Sequence, residues 1–425
     1  MEGSSEDISN RESYQKIGEN DPNDNNKIKE SKTKKIFIII LLSLVFIILI
    51  IIAIAFLTKD NLKCEPGYYL PDDDTSQCLK CTEENCFKCK GTKNNNLCHL
   101  CFLGYKLENS NCIINHSIKA IYKTEIDYEV INLVHYMIIP HVIEMIVDNE
   151  IVKPNEEYNF AKTGNHTVYY MINTSNLESL GEMFYGNENL ISISFTYLFD
   201  TKNIIWFSNM FYGCKELTSI DLSYLNTENG VYLTGMFQQC SSLKSIDLHN
   251  FNTQNVTSMS TMFYGCNSLK NLDITNFNTQ ELTSINNMFD GCYNLTELNL
   301  NNFDTKYITS MSYLFHRCYS LTSINLSNFN IEKVKFMEGM FEDCHSLTSI
   351  NISHFNTENI TKIDYMFYGC NNLIYLDISN FSYNKNVSLF YELPDNGKLI
   401  VSRDFIQIIE KQIPSSWDIN IINLK

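Results

Sequence analysis

The feature that most constrains this chain is a cysteine that recurs at a constant interval of 26 residues. The recurrence puts seven cysteines in one register: Cys214, Cys240, Cys266, Cys292, Cys318, Cys344 and Cys370. A fixed period of about 20–50 residues predicts a solenoid, in which each unit buries its apolar face only against its neighbours and atypical end units act as caps. The degenerate copies at Met183–Asn187 and from Leu373 onward fit the role of end units.

Each repeat unit combines a strand pattern with a second, differently spaced apolar segment. In the unit that begins at Leu243, the residues Leu243, Ile246 and Leu248 are separated by polar positions. This pattern predicts a strand with those side chains inward, and stacked units would form a parallel sheet on one face. Between residues 256 and 266 the apolar side chains recur three or four apart, which predicts a short helical or 3₁₀ turn on the back of each unit.

The units from Leu217 to Phe381 resemble the BspA-type leucine-rich-repeat surface proteins of bacteria and protists, as in LKSIDLHNFNTQNVTSMSTMFYGC from Leu243. Residues 145–172 resemble the β-rich lead-in of protist members, with a hairpin turn at Asp148-Asn149-Glu150 and a GNHTVYY strand. The resemblance implies an α/β-type leucine-rich-repeat solenoid with a parallel β-sheet on one face. It also implies a cell-surface protein that acts in adhesion or recognition of cells, matrix or microbes. Many protist members lack an N-terminal anchor and a cysteine-rich stalk, so no particular ligand is carried over.

The ladder cysteines are predicted to be structural rather than catalytic. A buried cysteine is a compact apolar residue whose S–H can donate weakly to a backbone carbonyl. Seven thiols cannot all pair, and stacking places neighbouring Cβ atoms about 4.8 Å apart, beyond the usual disulfide range of about 3.5–4.5 Å. We therefore predict a reduced ladder with at most occasional bridging.

An apolar segment near the N-terminus predicts a single transmembrane helix. Residues 36–57 carry no charge and no proline, and this length can cross about 30 Å of hydrocarbon as a helix. A cleaved signal peptide is the alternative, since Ala53 and Ala55 mimic a small-x-small cleavage site. Lysines are more numerous before the segment than after it, which predicts type II topology in the plasma membrane, with the N-terminus cytoplasmic and the repeats extracellular.

A cysteine-rich stretch follows the apolar segment. Its eight cysteines are Cys64, Cys78, Cys81, Cys86, Cys89, Cys98, Cys101 and Cys112. Three CxxC pairs are compatible with zinc, but an extracellular location favours disulfides, whose pairing the sequence leaves open. CHLCFLGYKLENSNC, from Cys98 to Cys112, resembles furin-like and growth-factor-receptor cysteine-rich modules, which implies an extended stalk.

These segments predict six regions along the chain. They are a disordered tail (1–35), a transmembrane helix (36–57), a disulfide module (58–113), a β-rich cap (114–165), the solenoid (166–390) and a C-terminal cap (391–425). Every Asn-x-Ser/Thr sequon follows the apolar segment, which agrees with a glycosylated exterior. The sequon asparagines are Asn115, Asn165, Asn173, Asn255, Asn294, Asn325, Asn351, Asn359, Asn380 and Asn386.

The outward side chains of the predicted strands form the candidate binding face. Its residues are Ser219, Asp221, Ser245, Asp247, His249, Asn271, Asp273, Glu297, Asn299, Asn325, Asn351 and Asp377. Stacked carboxylates at Asp221, Asp247 and Asp273 repel one another unless a cation, a raised pKa or water offsets them, which suggests a weak Ca²⁺ stripe. The alternative is a solvated polar face. Since this face lacks aromatic and Arg anchors, we expect a weak site repeated many times that acts through avidity.

No catalytic motif of the GxSxG, HExxH, GxxxxGK[ST] or GxGxxG type occurs in the sequence. His316 and His345 lie near ladder cysteines but at variable positions of the repeat, and we interpret them as surface residues. We therefore expect neither an enzyme nor a cofactor. The formal charge of −17 disfavours nucleic acid. The expected partner is an extracellular protein or glycan bound by the repeat sheet, and the alternatives are a receptor that signals through its tail or a structural coat protein.

Overall fold

The computed structural model describes residues 116–382 and 387–423, together with the backbone of six short strands between residues 68 and 114. The chain divides into two compact units, residues 1–82 with 88–96 and residues 83–87 with 97–425. The predicted tail and the apolar segment 36–57 lie outside the described residues. Within the described part, no helix is both long and apolar enough to cross a membrane.

Short paired strands occupy the cysteine-rich stretch. They are β1 (Tyr68–Tyr69), β2 (Leu79–Lys80), β3 (Cys86–Thr92), β4 (Asn95–Cys101), β5 (Tyr105–Glu108) and β6 (Asn111–Ile114). Consecutive strands pair into three two-stranded sheets. The side chains of the eight cysteines in this stretch lie outside the described residues, so the disulfide module stays a prediction.

A six-stranded sheet connects the N-terminal strands to the repeats. The strands of this region are β7 (Ile118–Thr124), β8 (Glu129–Asn132), β9 (Val142–Val147), β10 (Glu150–Val152), β11 (Glu157–Phe160), β12 (Gly164–Ile172), β13 (Leu190–Phe195) and β14 (Ser219–Asp221). The sheet order is β10-β9-β12-β7-β13-β14, while β8 and β11 pair separately. Pairing is antiparallel as far as β13, and β13 with β14 is parallel. The sheet therefore changes from antiparallel to parallel where the repeats begin.

The turn between β9 and β10 was predicted from the sequence. Asp148 and Asn149 connect the paired residues Val147 and Glu150, and both have positive φ, 47° and 70°. Positive φ at both central residues is what a two-residue type I′ hairpin requires. The predicted hairpin is confirmed, and so is the GNHTVYY strand, which forms most of β12.

From residue 179 the chain winds in coils that stack through parallel β contacts. Single parallel bridges connect each coil to the next along one column: Ser179, Trp206, Tyr232, Ser258, Ser284, Ser310, Phe336 and Lys362. Longer strands occur towards the C-terminus: β15 (Ser349–Asn351), β16 (Phe367–Tyr368), β17 (Tyr375–Ile378), β18 (Phe390–Tyr391), β19 (Lys398–Ser402) and β20 (Asp418–Ile422). They pair in parallel in the orders β15-β17-β19-β20 and β16-β18.

The fold is a β-solenoid with parallel sheets, and the expected α/β type is wrong because the second half of each coil is not helical. In the coil of Cys266, the N–H groups of Thr261, Phe263 and Gly265 donate to carbonyls of the next coil, whereas Met262 and Cys266 donate to carbonyls three residues back. Thr261 and Gly265 have positive φ, 55° and 71°, which a right-handed helix does not accommodate. A series of tight turns replaces the predicted helical or 3₁₀ turn.

The helices of the described residues lie outside the coils. They are the α-helix α1 (Arg403–Ile409) and two 3₁₀ helices, Ile139–His141 and Glu410–Gln412. Ser402 caps α1, because its side chain accepts a hydrogen bond from the Phe405 N–H.

Identical side chains stack in columns through the core. One column holds nine phenylalanines whose successive ring centroids lie 5.5–6.0 Å apart with interplanar angles of 3–14°. The column is Phe184, Phe211, Phe237, Phe263, Phe289, Phe315, Phe341, Phe367 and Phe390. Each repeat thus buries its aromatic ring against the same ring of its neighbours, as nearest-neighbour packing in a solenoid requires.

A second column ties the backbones of adjacent coils together through a buried threonine. Thr279 is 1% exposed, and its Oγ1 donates to the carbonyl of Asp304 (3.1 Å) and accepts from the N–H of the same residue (2.7 Å). The same two bonds recur at Thr201, Thr227, Thr253 and Thr305. Ile331 occupies this column in the next coil and has no oxygen to make either bond.

Candidate binding face and cysteine ladder

The strand half of each coil presents the face predicted from the sequence. Leu243 and Leu248 are buried and Ile246 is partly buried, while Ser245 and Asp247 between them are exposed. Of the twelve candidate residues, Asp377 is half-buried and the other eleven are exposed. The structure therefore brings these residues to one side of the solenoid.

The central Asp/Asn column of this face has a structural role. Each side-chain Oδ1 accepts a hydrogen bond from the backbone N–H two residues ahead, at 3.0–3.1 Å, in the pattern of an Asx turn. The seven acceptors are Asp221, Asp247, Asp273, Asn299, Asn325, Asn351 and Asp377. Both aspartate and asparagine occur in the column because either one supplies the required oxygen.

Local hydrogen bonds also favour the charged form of two of these aspartates, Asp247 and Asp273. The His249 side chain bonds Asp247 and lowers the pKa of that carboxyl, and the hydroxyl of Thr275 does the same for Asp273. The repulsion of Asp247 is the smallest contribution to the pKa of Asp273. Among the described residues, no group of three or more His, Cys, Asp and Glu is placed to hold a metal ion. The weak Ca²⁺ stripe suggested at Asp221, Asp247 and Asp273 gains no support from this geometry and stays a prediction.

Open grooves lie between the coils on the same face. One of about 550 Å³ is lined by candidate residues of three consecutive coils, among them Asp273, Asn299 and Asn325. A smaller one of about 150 Å³ lies beside Asp221, Asp247 and His249. Their polar, repeated lining suits several weak contacts with an extended ligand.

The seven ladder cysteines are buried and free. Each Sγ donates to the backbone carbonyl of a phenylalanine in the preceding coil, at 3.1–3.3 Å, from Cys214 on Phe184 to Cys370 on Phe341. Burial raises the pKa of every ladder thiol, that of Cys266 to about 12. A buried, protonated thiol is a poor nucleophile, and this geometry suits a structural column.

The repeat region matches a known sequence family. Residues 178–297 and 290–396 match the family described as "Mycoplasma protein of unknown function, DUF285", and together the matches span slightly more than half of the chain. The chain belongs to the DUF285 family. No curated protein matches the chain. The DUF285 match and the 26-residue β-solenoid are compatible with a BspA-type surface repeat protein, and neither bears on the cysteine-rich stretch.

One charged cluster interrupts the DUF285 repeat pattern. Asp290 has a side chain only 4% exposed and contacts Arg317 Nη2 (2.8 Å) and His316 Nδ1 (3.1 Å) through Oδ1, while its Oδ2 accepts from Asn287 (3.0 Å). The side chain of His316 is 18% exposed, so this predicted surface residue is half-buried. His345 is more open, at 44%. The sequence signal for the cluster was an arginine in a column that most coils fill with glycine.

The sequon asparagines within the described residues number eight, and all are exposed. Asn115 and Asn386 lie outside that part of the chain. In Asn255, Asn294 and Asn325 the side-chain Nδ2, the atom that a glycan would modify, donates to an oxygen of the preceding coil at 2.7–3.0 Å. A glycan on any of these three would compete with a contact between coils.

Proposed function

We propose that this DUF285 chain is a single-pass protein of the plasma membrane whose extracellular solenoid mediates adhesion to, or recognition of, cells, matrix or microbes. The observation that carries the proposal is the strand face, on which near-identical coils repeat the same exposed polar side chains. A surface of this kind offers many equivalent weak contacts, and many copies on one membrane multiply them through avidity. Binding by this face, rather than catalysis, is the proposed activity.

Removing whole coils tests the avidity mechanism. Deleting residues 319–370 removes two complete repeat lengths and joins Cys318 to Asn371, so every column continues in register. We expect cells that display this variant to adhere to partner cells at less than about one-tenth of the level of the full chain, because multivalent binding falls steeply with the number of contacts. The matched point variant Asn299→Ala should adhere within about twofold of the full chain. A large loss from that single change would contradict avidity.

The topology needs its own test, because the adhesion proposal requires the repeats outside the cell. The full chain is expressed in a eukaryotic cell, treated with peptide N-glycosidase, and separately exposed to protease on intact cells. A shift in mobility and removal of the bulk of the chain would support the proposed orientation. If neither occurs, the repeats face the cytosol and adhesion is the wrong function.

A further inference from the structure

A groove on the turn side of the coils shares no lining residue with the candidate binding face. Its volume is about 390 Å³, and its lining is Lys215, Gln239, Ser241, Tyr264, Gly265, Asn267, Gly291, Tyr293 and Arg317. Small-molecule sites in proteins usually measure about 300–1,000 Å³. None of the lining residues is acidic, although the chain as a whole carries a charge of −17.

One end of the groove is an aromatic ring. In the column that follows the ladder cysteine, Tyr293 stacks on Tyr319 (4.7 Å, 19°), and Tyr319 stacks on His345 (4.7 Å, 6°). The preceding members of this column are the smaller residues Ser241 and Asn267. The stack therefore ends at Tyr293, which is itself one of the residues that line the groove.

Two glycines leave the space of the groove open because they carry no side chain. Gly265 and Gly291 have positive φ, 71° and 76°, and a Cβ added at Gly291 would lie 3.3 Å from the Cα of Gly265. In the same column, Gln239 and Arg317 occupy the coils on either side. Two consecutive coils therefore have no side chain at this position, whereas the coil before them and the coil after them each have one.

The guanidinium of Arg317 is held in place at the groove. Its Nε and Nη2 donate to Asp290 Oδ1 (3.2 and 2.8 Å), and Nη2 also contacts the Tyr264 hydroxyl at 3.4 Å. Burial is the largest single effect and disfavours the charged guanidinium, but Asp290 and the Tyr264 hydroxyl together outweigh it and raise the pKa of Arg317 above its ordinary value. These contacts use Nε and Nη2, and within the described residues no hydrogen bond uses the Nη1 amino group, which is therefore available to a ligand. A fixed, permanently charged arginine is well suited to a carboxylate.

We propose that this groove binds an acidic oligosaccharide, with a pyranose ring packed on Tyr293 and a sugar carboxylate bound by Arg317. A rigid aromatic face gives a sugar ring contact area at low entropic cost, and the neutral amides and hydroxyls of the lining complete a polar site. The inference rests on the proposed recognition function and adds a ligand class to it. Sialic acids and uronic acids share this chemistry, and the experiment separates them.

The test is a titration of the purified full chain with three glycans, sialyllactose, trigalacturonate and lactose, monitored by calorimetry. We expect one of the two acidic glycans to bind at least about tenfold more tightly than lactose. Tyr293→Asn, which copies the residue of the preceding coil, should weaken that binding about tenfold or more. Tyr185→Asn, in the separate stack with Tyr212, is the matched control and should stay within about twofold.

A second variant guards against misfolding of the charged cluster. Asp290→Tyr with Arg317→Gly installs the residues that stand one repeat earlier, Tyr264 and Gly291, and it leaves no buried carboxylate unpaired. It should keep the circular dichroism of the parent and lose the preference for acidic glycans. Binding of neither acidic glycan at millimolar concentration, equal binding of lactose, or equal loss in the Tyr185 control would each overturn the proposal. Adhesion without acidic-glycan binding would refute only the proposal that the groove binds an acidic oligosaccharide. Glycan binding without adhesion would refute only the proposed adhesion function.

Discussion

Thr279→Val is the most direct test of how adjacent coils are held together. The Thr279 hydroxyl bonds both the N–H and the carbonyl of Asp304 in the next coil, at 2.7 and 3.1 Å. Valine has nearly the same shape but no oxygen, so both backbone groups lose their partner while packing is retained. Any loss of stability therefore reports the two hydrogen bonds.

The expected magnitude follows from those two bonds. One intramolecular hydrogen bond contributes about 0.5–1.5 kcal/mol net, and a buried group left unpaired costs about 1–3 kcal/mol. Because Asp304 itself is exposed, water recovers part of this cost, and we expect Thr279→Val to lower the free energy of unfolding by about 2–3 kcal/mol. Ile331→Val is the matched control, since it creates the same side chain in the same column without removing an oxygen. It should cost about 0.5–1.5 kcal/mol.

Urea unfolding followed by circular dichroism measures the loss in the free energy of unfolding. Amide hydrogen exchange at Asp304 measures the local loss of protection. Exchange at that N–H should accelerate in Thr279→Val and stay near the parent rate in Ile331→Val. If Thr279→Val costs no more than the control and the Asp304 exchange rate is unchanged, the threonine column does not stabilise coil stacking.

Three further predictions concern the ladder, the turns and the glycines. Raising the pH from 8 to 10 should lower the free energy of unfolding, because burial raises the thiol pKa values and the folded chain keeps protons that the unfolded chain releases above about pH 9. Each buried thiol makes its full contribution to the free energy of unfolding below that pH. The contribution decreases above it, by roughly 1.4 kcal/mol per thiol at about pH 10. Urea midpoints at the two pH values check it, and Cys266→Ala should show a smaller decrease than the parent; an equal decrease would contradict the assignment. Asp273→Asn should change the melting temperature little, since Asn299 makes the same turn, whereas Asp273→Ala should cost about 1 kcal/mol; equal effects would rule out the turn as the reason. Gly291→Ala should destabilise by about 1–2 kcal/mol in thermal unfolding, because its φ is 76° and its Cβ would press on Gly265; a neutral result would refute the steric argument.

The sequence was sufficient to predict the period and the buried columns of the solenoid. A side chain that recurs every 26 residues, such as Phe263 or Cys266, must meet its own copy when coils stack, so stacking and burial follow directly. The path of the chain within a coil was not predictable in the same way. The apolar spacing from Met259 to Cys266 is compatible with helical turns, and the outcome depended on where alternate N–H groups found carbonyls. Those partners lie in the next coil, and a pattern within one repeat does not reveal them.

The candidate site was also predictable only in part. The exposure of Asp247 and Asp273 followed from strand alternation. Their Asx turns show that these side chains also stabilise the local backbone by hydrogen bonds. The Asp-x-Ser and Asp-x-Thr spacing was the available signal. The groove beside Tyr293 could not be predicted, because its lining comes from five coils and depends on an arginine that replaces a glycine.

The column packing has a consequence for how such chains change over evolutionary time. Because each ring meets its own copy, and each thiol and threonine hydroxyl meets the same backbone group of the neighbouring coil, recombination between near-identical repeats can add or remove whole coils with no new contacts to optimise. A change in the length of one coil must instead be absorbed by its turns if the columns are to stay aligned. The steps from Phe184 to Phe211 and from Phe367 to Phe390 are 27 and 23 residues rather than 26, so the irregular spacings occur at the two ends of the phenylalanine column, where the rings still stack 5.6 Å apart.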